Sequence, residues 1–161
     1  MRRILPVFLV LLLVAFNAYA SPPPARQLPG DLTLAEAQTV VNAALAFSVK
    51  QGIPMNIAVV DAGGNLKAFA REDGAFLGSI DIAQKKAITA RYFNMSTAQL
   101  GAAAQPGKEL FGIEVTNRGL VIFGGGELLI RNGVIVGAIG VSGGSVAEDT
   151  AVSKAGAAAL K

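Results

Sequence analysis

The sequence predicts a single α/β domain of the α+β kind, in which helices flank one antiparallel sheet of about five strands. Three segments have the spacing of a helix capping box: Thr33–Glu36, Ser96–Gln99 and Ser145–Glu148. The dipeptide Asn132-Gly133 lies between two apolar runs, which is the strongest short-range signal for a β-hairpin. Because hairpins impose antiparallel pairing, these observations favour an antiparallel sheet with helices packed against it.

The first elements predicted are a helix and a hairpin. Thr33 caps a segment whose apolar residues recur at helical spacing, and Gly52 followed by Pro54 ends it. A short apolar strand is predicted over 56–60 and a return strand over 66–71, joined by the turn at 61–65.

Two helices are predicted next. Ser79 is expected to cap the second helix, in which Asp81 and Lys85 form an i, i+4 pair. The box at Ser96 opens a short third helix that Pro106-Gly107 ends.

The remaining strands and the last helix follow. One strand is predicted over Leu120–Phe123 and is interrupted by the glycines at 124–126. Two further strands, Leu128–Arg131 and Val134–Ser142, flank the Asn-Gly turn. The box at Ser145 then opens a helix running toward Leu160, which completes the count of about five strands.

The first thirty residues predict export. Residues 1–20 combine two arginines, a short apolar run and the small-x-small sequence Ala18-Tyr19-Ala20, as a secretory signal peptide does. Residues 21–30 read as a proline-rich tether and 31–161 as the domain. We therefore expect a periplasmic or secreted protein with no membrane anchor after signal cleavage.

Composition excludes several classes of function. Without Arg2 and Arg3 the chain has 12 basic and 11 acidic side chains, which gives no electrostatic footprint for nucleic acid. It has no cysteine and no histidine, so disulfides, thiolate metal sites and the commonest general base, zinc ligand and haem ligand are all absent.

Two glycine-rich motifs suggest chemistry that their surroundings do not support. Residues 140–144 match G-x-S-x-G, but Ser142 has no histidine to take its proton, so no catalytic residue is assigned. The glycines at 124–126 lack the rest of a phosphate-binding motif. They are interpreted as a bend between strands or as a loop lining a ligand pocket.

Other candidate residues keep two interpretations each. Lys85, Lys86 and Arg91 lie on one predicted helix, where they form either a solvated face or a contact for an anion. Met55, Met95 and Tyr92 could ligate iron, although such side chains more often pack in a core. Four scattered carboxylates could hold a hard cation, but no calcium-loop motif is present and they are interpreted as caps and surface: Asp61, Asp73, Asp81 and Glu114.

Four segments together carry a family resemblance: Ile57–Leu66, Ser79–Ala87, Phe123–Gly126 and Val136–Gly144. In this order they resemble the GlcG/HbpS family of haem-binding-like proteins over about 32–160. The resemblance implies a five-stranded antiparallel sheet flanked by helices and assembly into dimers or larger rings. It also implies a relation to domains attached to PduO-type corrinoid adenosyltransferases, and haem binding in some members.

This chain departs from the family's sequence pattern at one position. Family members commonly have a histidine in the turn where this chain has Asn65. A haem bound here would therefore use an oxygen, a thioether or no protein atom at its iron.

The leading hypothesis is an exported, homo-oligomeric small-molecule-binding protein, with haem or a related tetrapyrrole as the first candidate. The pocket is expected where the first hairpin, the Ser79 helix and the triple-glycine turn converge, and its predicted lining is Asn65, Arg71, Lys85, Lys86, Gly124, Gly125 and Gly126. One alternative is an enzyme or accessory protein of small hydroxy-acid (glycolate-type) metabolism, with Asp61, Asp73 or Lys85 as acid–base groups. Another is a structural or interaction protein.

Overall fold

The computed structural model describes residues 30–161, so the predicted signal peptide and nearly all of the tether lie outside the described residues. Within the described part, four antiparallel strands form one sheet: β1 (Asn56–Asp61), β2 (Leu66–Arg71), β3 (Gly126–Arg131) and β4 (Val134–Ser142). Their order across the sheet is β2-β1-β4-β3, which places β2 and β3 at the two edges.

Four α-helices surround this sheet. They are α1 (Leu34–Gln51), α2 (Gly78–Phe93), α3 (Thr97–Ala103) and α4 (Val146–Ala157), with one turn of 3-10 helix at Ile113–Val115. None of the helices within residues 30–161 combines the length and the hydropathy that a membrane-spanning segment needs.

The helices form a layer on each face of the sheet. On one face α1 packs beside α4, and the strands contribute Ile57, Val59, Ile139 and Val141 to the larger apolar core. On the other face α2 packs on β4, β1 and β3, over a smaller core of short side chains. That core contains Ala58, Val60, Ala83, Ala87, Ala90 and Ala138. The small residues let α2 lie close to the strands.

Glycine makes this close approach possible. A Cβ atom at Gly140 would lie 2.0 Å from the Ala83 carbonyl oxygen and 2.4 Å from the Ala87 nitrogen. One at Gly126, the residue opposite Gly140 in the ladder, would lie 2.6 Å from the Lys86 carbonyl oxygen. The α2 backbone therefore rests directly on the backbone of β3 and β4.

The local signals in the sequence were largely confirmed. The three capping boxes at Thr33, Ser96 and Ser145 are formed, and Asn132 (φ 51°) and Gly133 (φ 77°) have the positive φ values of a type I′ turn. The cap predicted at Ser79 was wrong. The helix begins at Gly78, its N-cap Leu77 makes no side-chain cap, and Ser79 is buried.

The predicted fifth strand is absent from the described residues, and the sheet has four strands. Leu120 and Val121 are buried as expected for apolar residues, but the Val121 amide donates to the Thr89 hydroxyl at 3.1 Å instead of to a neighbouring strand. Gly125, at φ 111°, turns the chain away before β3 begins. Hydrophobicity predicted the burial of Leu120 and Val121, although Phe123 is 43% exposed, and it could not distinguish a buried loop from a strand.

We predict that Gly140→Ala destabilises the domain by about 1–3 kcal/mol or more, because the added methyl meets the backbone of α2 and cannot be relieved by a rotamer change. The matched control is Gly78→Ala at the open start of α2, where a Cβ meets nothing within 4 Å. There the same substitution is expected to be neutral or stabilising by up to ~1 kcal/mol. Denaturant unfolding measures both, and an equal effect at the two positions would contradict the packing argument.

Candidate functional site

The seven predicted ligand residues do not converge on one pocket. Asn65 and Arg71 bracket the edge strand β2, whereas Lys86 and the glycines at 124–126 lie beside the opposite edge strand β3. The two edges are three strand spacings apart, about 14 Å. Lys85 stands on α2 and pairs with Asp81 at 2.8 Å.

Asn65 is held within the β1–β2 turn. Its side-chain amide and its backbone amide donate to the Asp61 carboxylate, at 3.2 and 2.9 Å, and the Gly63 amide donates to the same oxygen at 2.9 Å. The Asp61 carboxylate therefore organises the turn. These contacts explain why aspartate and asparagine occupy its two ends.

Lys86 departs most from the sequence-based interpretation. It was grouped with Lys85 and Arg91 on a helix face that was either solvated or available to an anion, but its side chain has no exposed surface. The ammonium donates to the Val141 carbonyl oxygen at 2.8 Å and to the Asp149 carboxylate at 2.6 Å. Lys86 thus connects α2 on one face of the sheet to α4 on the other.

The Lys86 ammonium is fully buried and lies beside the negatively charged Asp149 carboxylate. Burial lowers the pKa of its ammonium below the ordinary range, and the hydrogen bond and charge of Asp149 oppose that shift. The Phe123 ring lies 4.8 Å from the ammonium and covers it with the face of an aromatic ring. The second Asp149 oxygen accepts from the Gly143 and Gly144 amides, so the carboxylate is fully used inside the protein.

The triple-glycine turn packs around this ion pair. A Cβ at Gly125 would lie 2.7 Å from the Lys86 ammonium, and one at Gly124 would lie 2.4 Å from the Thr150 hydroxyl. With Gly126 beneath α2, each of the three glycines is required by a close internal contact. This arrangement supports the interpretation of the turn as a bend between elements.

The residues considered for catalysis are also dispersed. Ser142 of the G-x-S-x-G motif is almost completely buried, and its neighbour Gly143 packs against the backbone of Pro54. Asp61 lies at the end of β1 and Asp73 follows the far end of β2, so the length of a strand separates them. Within residues 30–161 no group of three acidic side chains could hold a metal ion.

The face of β2 on the α2 side of the sheet carries an exposed row of side chains. Leu66 lies opposite Val60 and Phe69 lies opposite Ala58, so both point to the side where α2 lies. Arg71 follows on the same face, opposite Asn56. We call Leu66, Phe69 and Arg71 the β2 strip. All three are exposed because α2 packs on the other three strands.

Aromatic and apolar residues stand at both ends of the β2 strip. Tyr92, near the end of α2, lies against Gly64 in the turn that precedes Leu66. Phe76 and Leu77, at the start of α2, are exposed, and Asn56 beside Arg71 donates to the Phe76 carbonyl oxygen at 3.0 Å. The strip is therefore a mainly apolar surface with a cation at one end.

Sequence reasoning found only part of this surface. It selected Arg71 and missed Leu66 and Phe69, although both lie in the strand that it predicted. The sequence feature that could have revealed them is that β2 has large apolar residues on one face and the alanines Ala68 and Ala70 on the other.

A separate surface groove of about 410 Å³ lies beside the start of α1 and the C-terminus, and none of the predicted residues lines it.

The fold and this surface define a class of protein: a small α+β domain with helices on both faces of an antiparallel sheet and one partly uncovered edge strand. Within that class the sequence identifies the family. The family described as "Haem degrading protein HbpS-like" matches residues 32–158, and the chain belongs to it.

Individual relatives agree with this assignment. An uncharacterised 15.0 kDa protein of Citrobacter freundii is 43% identical over 119 residues, which cover 73% of this chain and 84% of that protein. The corrinoid adenosyltransferase PduO of the same organism is 36% identical over 92% of this chain, but the match spans only 43% of PduO. The solved complex of PduOC with haem has 34% identity and a TM-score of 0.78, covering 81% of this chain and 96% of that one.

We predict that Lys86→Met destabilises the domain by about 3–5 kcal/mol, because it leaves the Asp149 carboxylate buried without its cation. The adjacent substitution Lys85→Met is the matched control. It removes an exposed i, i+4 ion pair and should cost less than about 0.5 kcal/mol. Chemical denaturation of both variants checks this, and a small effect at Lys86 would show that the ion pair contributes little.

Proposed function

We propose that this protein binds haem or a related tetrapyrrole on the β2 strip and that it does so outside the cytoplasm. The observation that carries the proposal is an exposed apolar strand face with a cation at its end, in a domain of the HbpS-like family. A large flat cofactor with acidic substituents requires an apolar surface and a positive charge.

The residues of the strip fit the two parts of such a ligand. Leu66 and Phe69 offer an apolar surface for a macrocycle, and α1 closes the opposite face of the strand. Arg71 makes no ion pair with any described residue, so its guanidinium is available to a propionate carboxylate. Haem, when bound, supplies the iron and its redox chemistry, and the protein supplies the surface and the charges.

Relatives support this ligand class. PduOC, at 34% identity over nearly its whole length, has been solved as a haem complex. The chain spans less than half of PduO itself, so the adenosyltransferase activity of that protein is not part of the proposal. Asp61, Asp73 and Lys85 are separated in the fold and Lys85 is paired, so no observation favours the hydroxy-acid alternative.

A one-sided strip leaves the other face of a bound macrocycle open. We propose that a second copy of the chain covers it, in keeping with the homo-oligomer expected from sequence. The exposed apolar residues Phe76 and Leu77 beside the strip supply further surface for that contact.

We predict that haemin titrated into the purified chain gives a saturable, shifted Soret band, and that Phe69→Glu weakens the apparent affinity at least about tenfold. The glutamate would place a carboxylate against both the apolar ring and the propionates. The matched control is Val49→Glu, which introduces the same charge at an exposed apolar residue of α1 on the opposite side of the sheet.

The outcomes separate clearly. Weakened binding in Phe69→Glu with unchanged binding in Val49→Glu supports the strip as the site. Equal affinities in the two variants would place the ligand elsewhere. A haemin spectrum identical to that in buffer would refute haem binding altogether.

Export has its own test. We predict that the chain expressed in a Gram-negative host is recovered from the periplasm or medium with Ser21 as its first residue, because Ala18-Tyr19-Ala20 matches the sequence that signal peptidase reads. N-terminal sequencing and fractionation measure this. An unprocessed chain that remains in the cytoplasm would contradict the proposal.

A further inference from the structure

We propose that the Arg71 end of the β2 strip is a carboxylate-binding site, formed by the Arg71 guanidinium, the uncapped N-terminus of α2 and the buried amide of Asn56. The site shares Arg71 with the proposed haem surface and deepens that proposal by naming the groups that complete it. It rests on the proposed function only for which molecule carries the carboxylate.

Asn56 brings the edge strand and the helix together. It lies opposite Arg71 in the antiparallel pair of β1 and β2, where facing Cα atoms are about 5 Å apart. Its side-chain nitrogen donates to the Phe76 carbonyl oxygen at 3.0 Å, which places the amide group beside the start of α2. The guanidinium and the helix N-terminus are therefore neighbours across one buried side chain.

The N-terminus of α2 has amide groups that no described residue satisfies. Its N-cap, Leu77, makes no side-chain cap, and the Leu77 and Gly78 amides donate to no described residue. Asp81 in the first turn is bound to Lys85 at 2.8 Å instead. Open amides and the positive end of the helix dipole attract an anion.

Asn56 supplies an observation that is independent of the helix. Its side chain is completely buried, and its carbonyl oxygen Oδ1 accepts no hydrogen bond from any described residue. A carboxylate has no proton to donate to this oxygen, whereas a guanidinium has five N–H groups. With a carboxylate bound, Arg71 therefore donates one N–H to Asn56 Oδ1 and holds the ligand with the others.

No neighbouring acid competes for Arg71. Its side chain is exposed and makes no ion pair or hydrogen bond with a described residue. The adjacent Glu72 accepts from the Ser48 hydroxyl at 2.7 Å and from the Met55 amide at 2.8 Å. Asp73 makes no ion pair with Arg71 either. The guanidinium is thus available to a ligand.

The charge of the site fits one carboxylate. One guanidinium and about half a unit of positive charge at the helix end balance a single negative charge. A phosphate group, with a charge of about −1.5 to −2 at pH 7, would leave an excess beside three nearby acids. Two sources offer a carboxylate: the propionate of a macrocycle on the strip and a small free carboxylic acid.

The first experiment uses sodium propionate as the probe. It is titrated into the ¹⁵N-labelled chain while the Gly78 amide, the Arg71 Nε proton and the Asn56 side-chain amide are followed by NMR. We expect the three signals to shift together and to saturate. Arg71→Gln should weaken binding at least about tenfold. The matched control, Arg118→Gln, removes another exposed arginine without an ion pair and should leave the titration unchanged.

A second pair of variants tests the helix N-terminus. Leu77 is exposed, so Leu77→Asp and Leu77→Asn should both fold. They have the same shape, and only the aspartate places a negative charge at the open amides. Leu77→Asp should therefore bind propionate more weakly than Leu77→Asn by at least about threefold. Equal affinities in the two variants would remove the helix from the site.

Haemin and its dimethyl ester separate the two sources. Weaker binding of the ester, with excess propionate displacing haemin, assigns the site to the macrocycle. Equal binding of the two, with saturable propionate shifts, assigns it to a free carboxylic acid. Saturable shifts without any haemin binding overturn the proposed function and leave this site standing.

Two results overturn the site itself. One is the absence of saturable shifts in the wild type, together with equal binding of haemin and its ester. The other is a stronger response of the same signals to inorganic phosphate than to propionate.

Discussion

The buried ion pair between Lys86 and Asp149 is the contact on which the rest of the architecture depends. It lies beside Gly125, just before β3 begins, and joins α2 on one face of the sheet to α4 on the other. A lone buried charge would be very costly, so the two helices must keep the relative position in which the pair forms. Asp149 also accepts from the two glycine amides that follow β4, which ties the strand-to-helix turn to the same point.

The same lysine marks where β3 begins. The Val141 amide donates to the Gly125 carbonyl oxygen, as a continuing ladder would require. The return hydrogen bond to the Val141 carbonyl oxygen is made by the Lys86 ammonium. Because a side chain occupies that ladder position, the segment before Gly125 is free to leave the sheet, and its buried Val121 amide bonds Thr89 instead. The buried Val121 amide thus has its hydrogen-bond partner in a side chain and not in a neighbouring strand.

The sequence predicted the structural features that depend on neighbouring residues and missed those that depend on contacts between distant segments of the chain. The capping boxes and the Asn132-Gly133 turn are complete local signals, and they were confirmed. Nothing near Lys86 in the sequence distinguishes it from Lys85, because the difference is made by Asp149, which lies 63 residues away. Likewise, only the strand order reveals that β2 is an edge strand with one face uncovered. Arg71 could be selected from the sequence, but the surface around it could not.

The uncovered strip is a consequence of how α2 is held. The glycines beneath α2 and the Lys86 ion pair draw this helix toward β3 and β4, and it therefore does not cover β2. An exposed phenylalanine and leucine on an edge strand cost solubility unless something covers them. A flat ligand with acidic groups would cover the two apolar side chains and bring a carboxylate to Arg71, so a single ligand would meet both the apolar and the charged part of this surface.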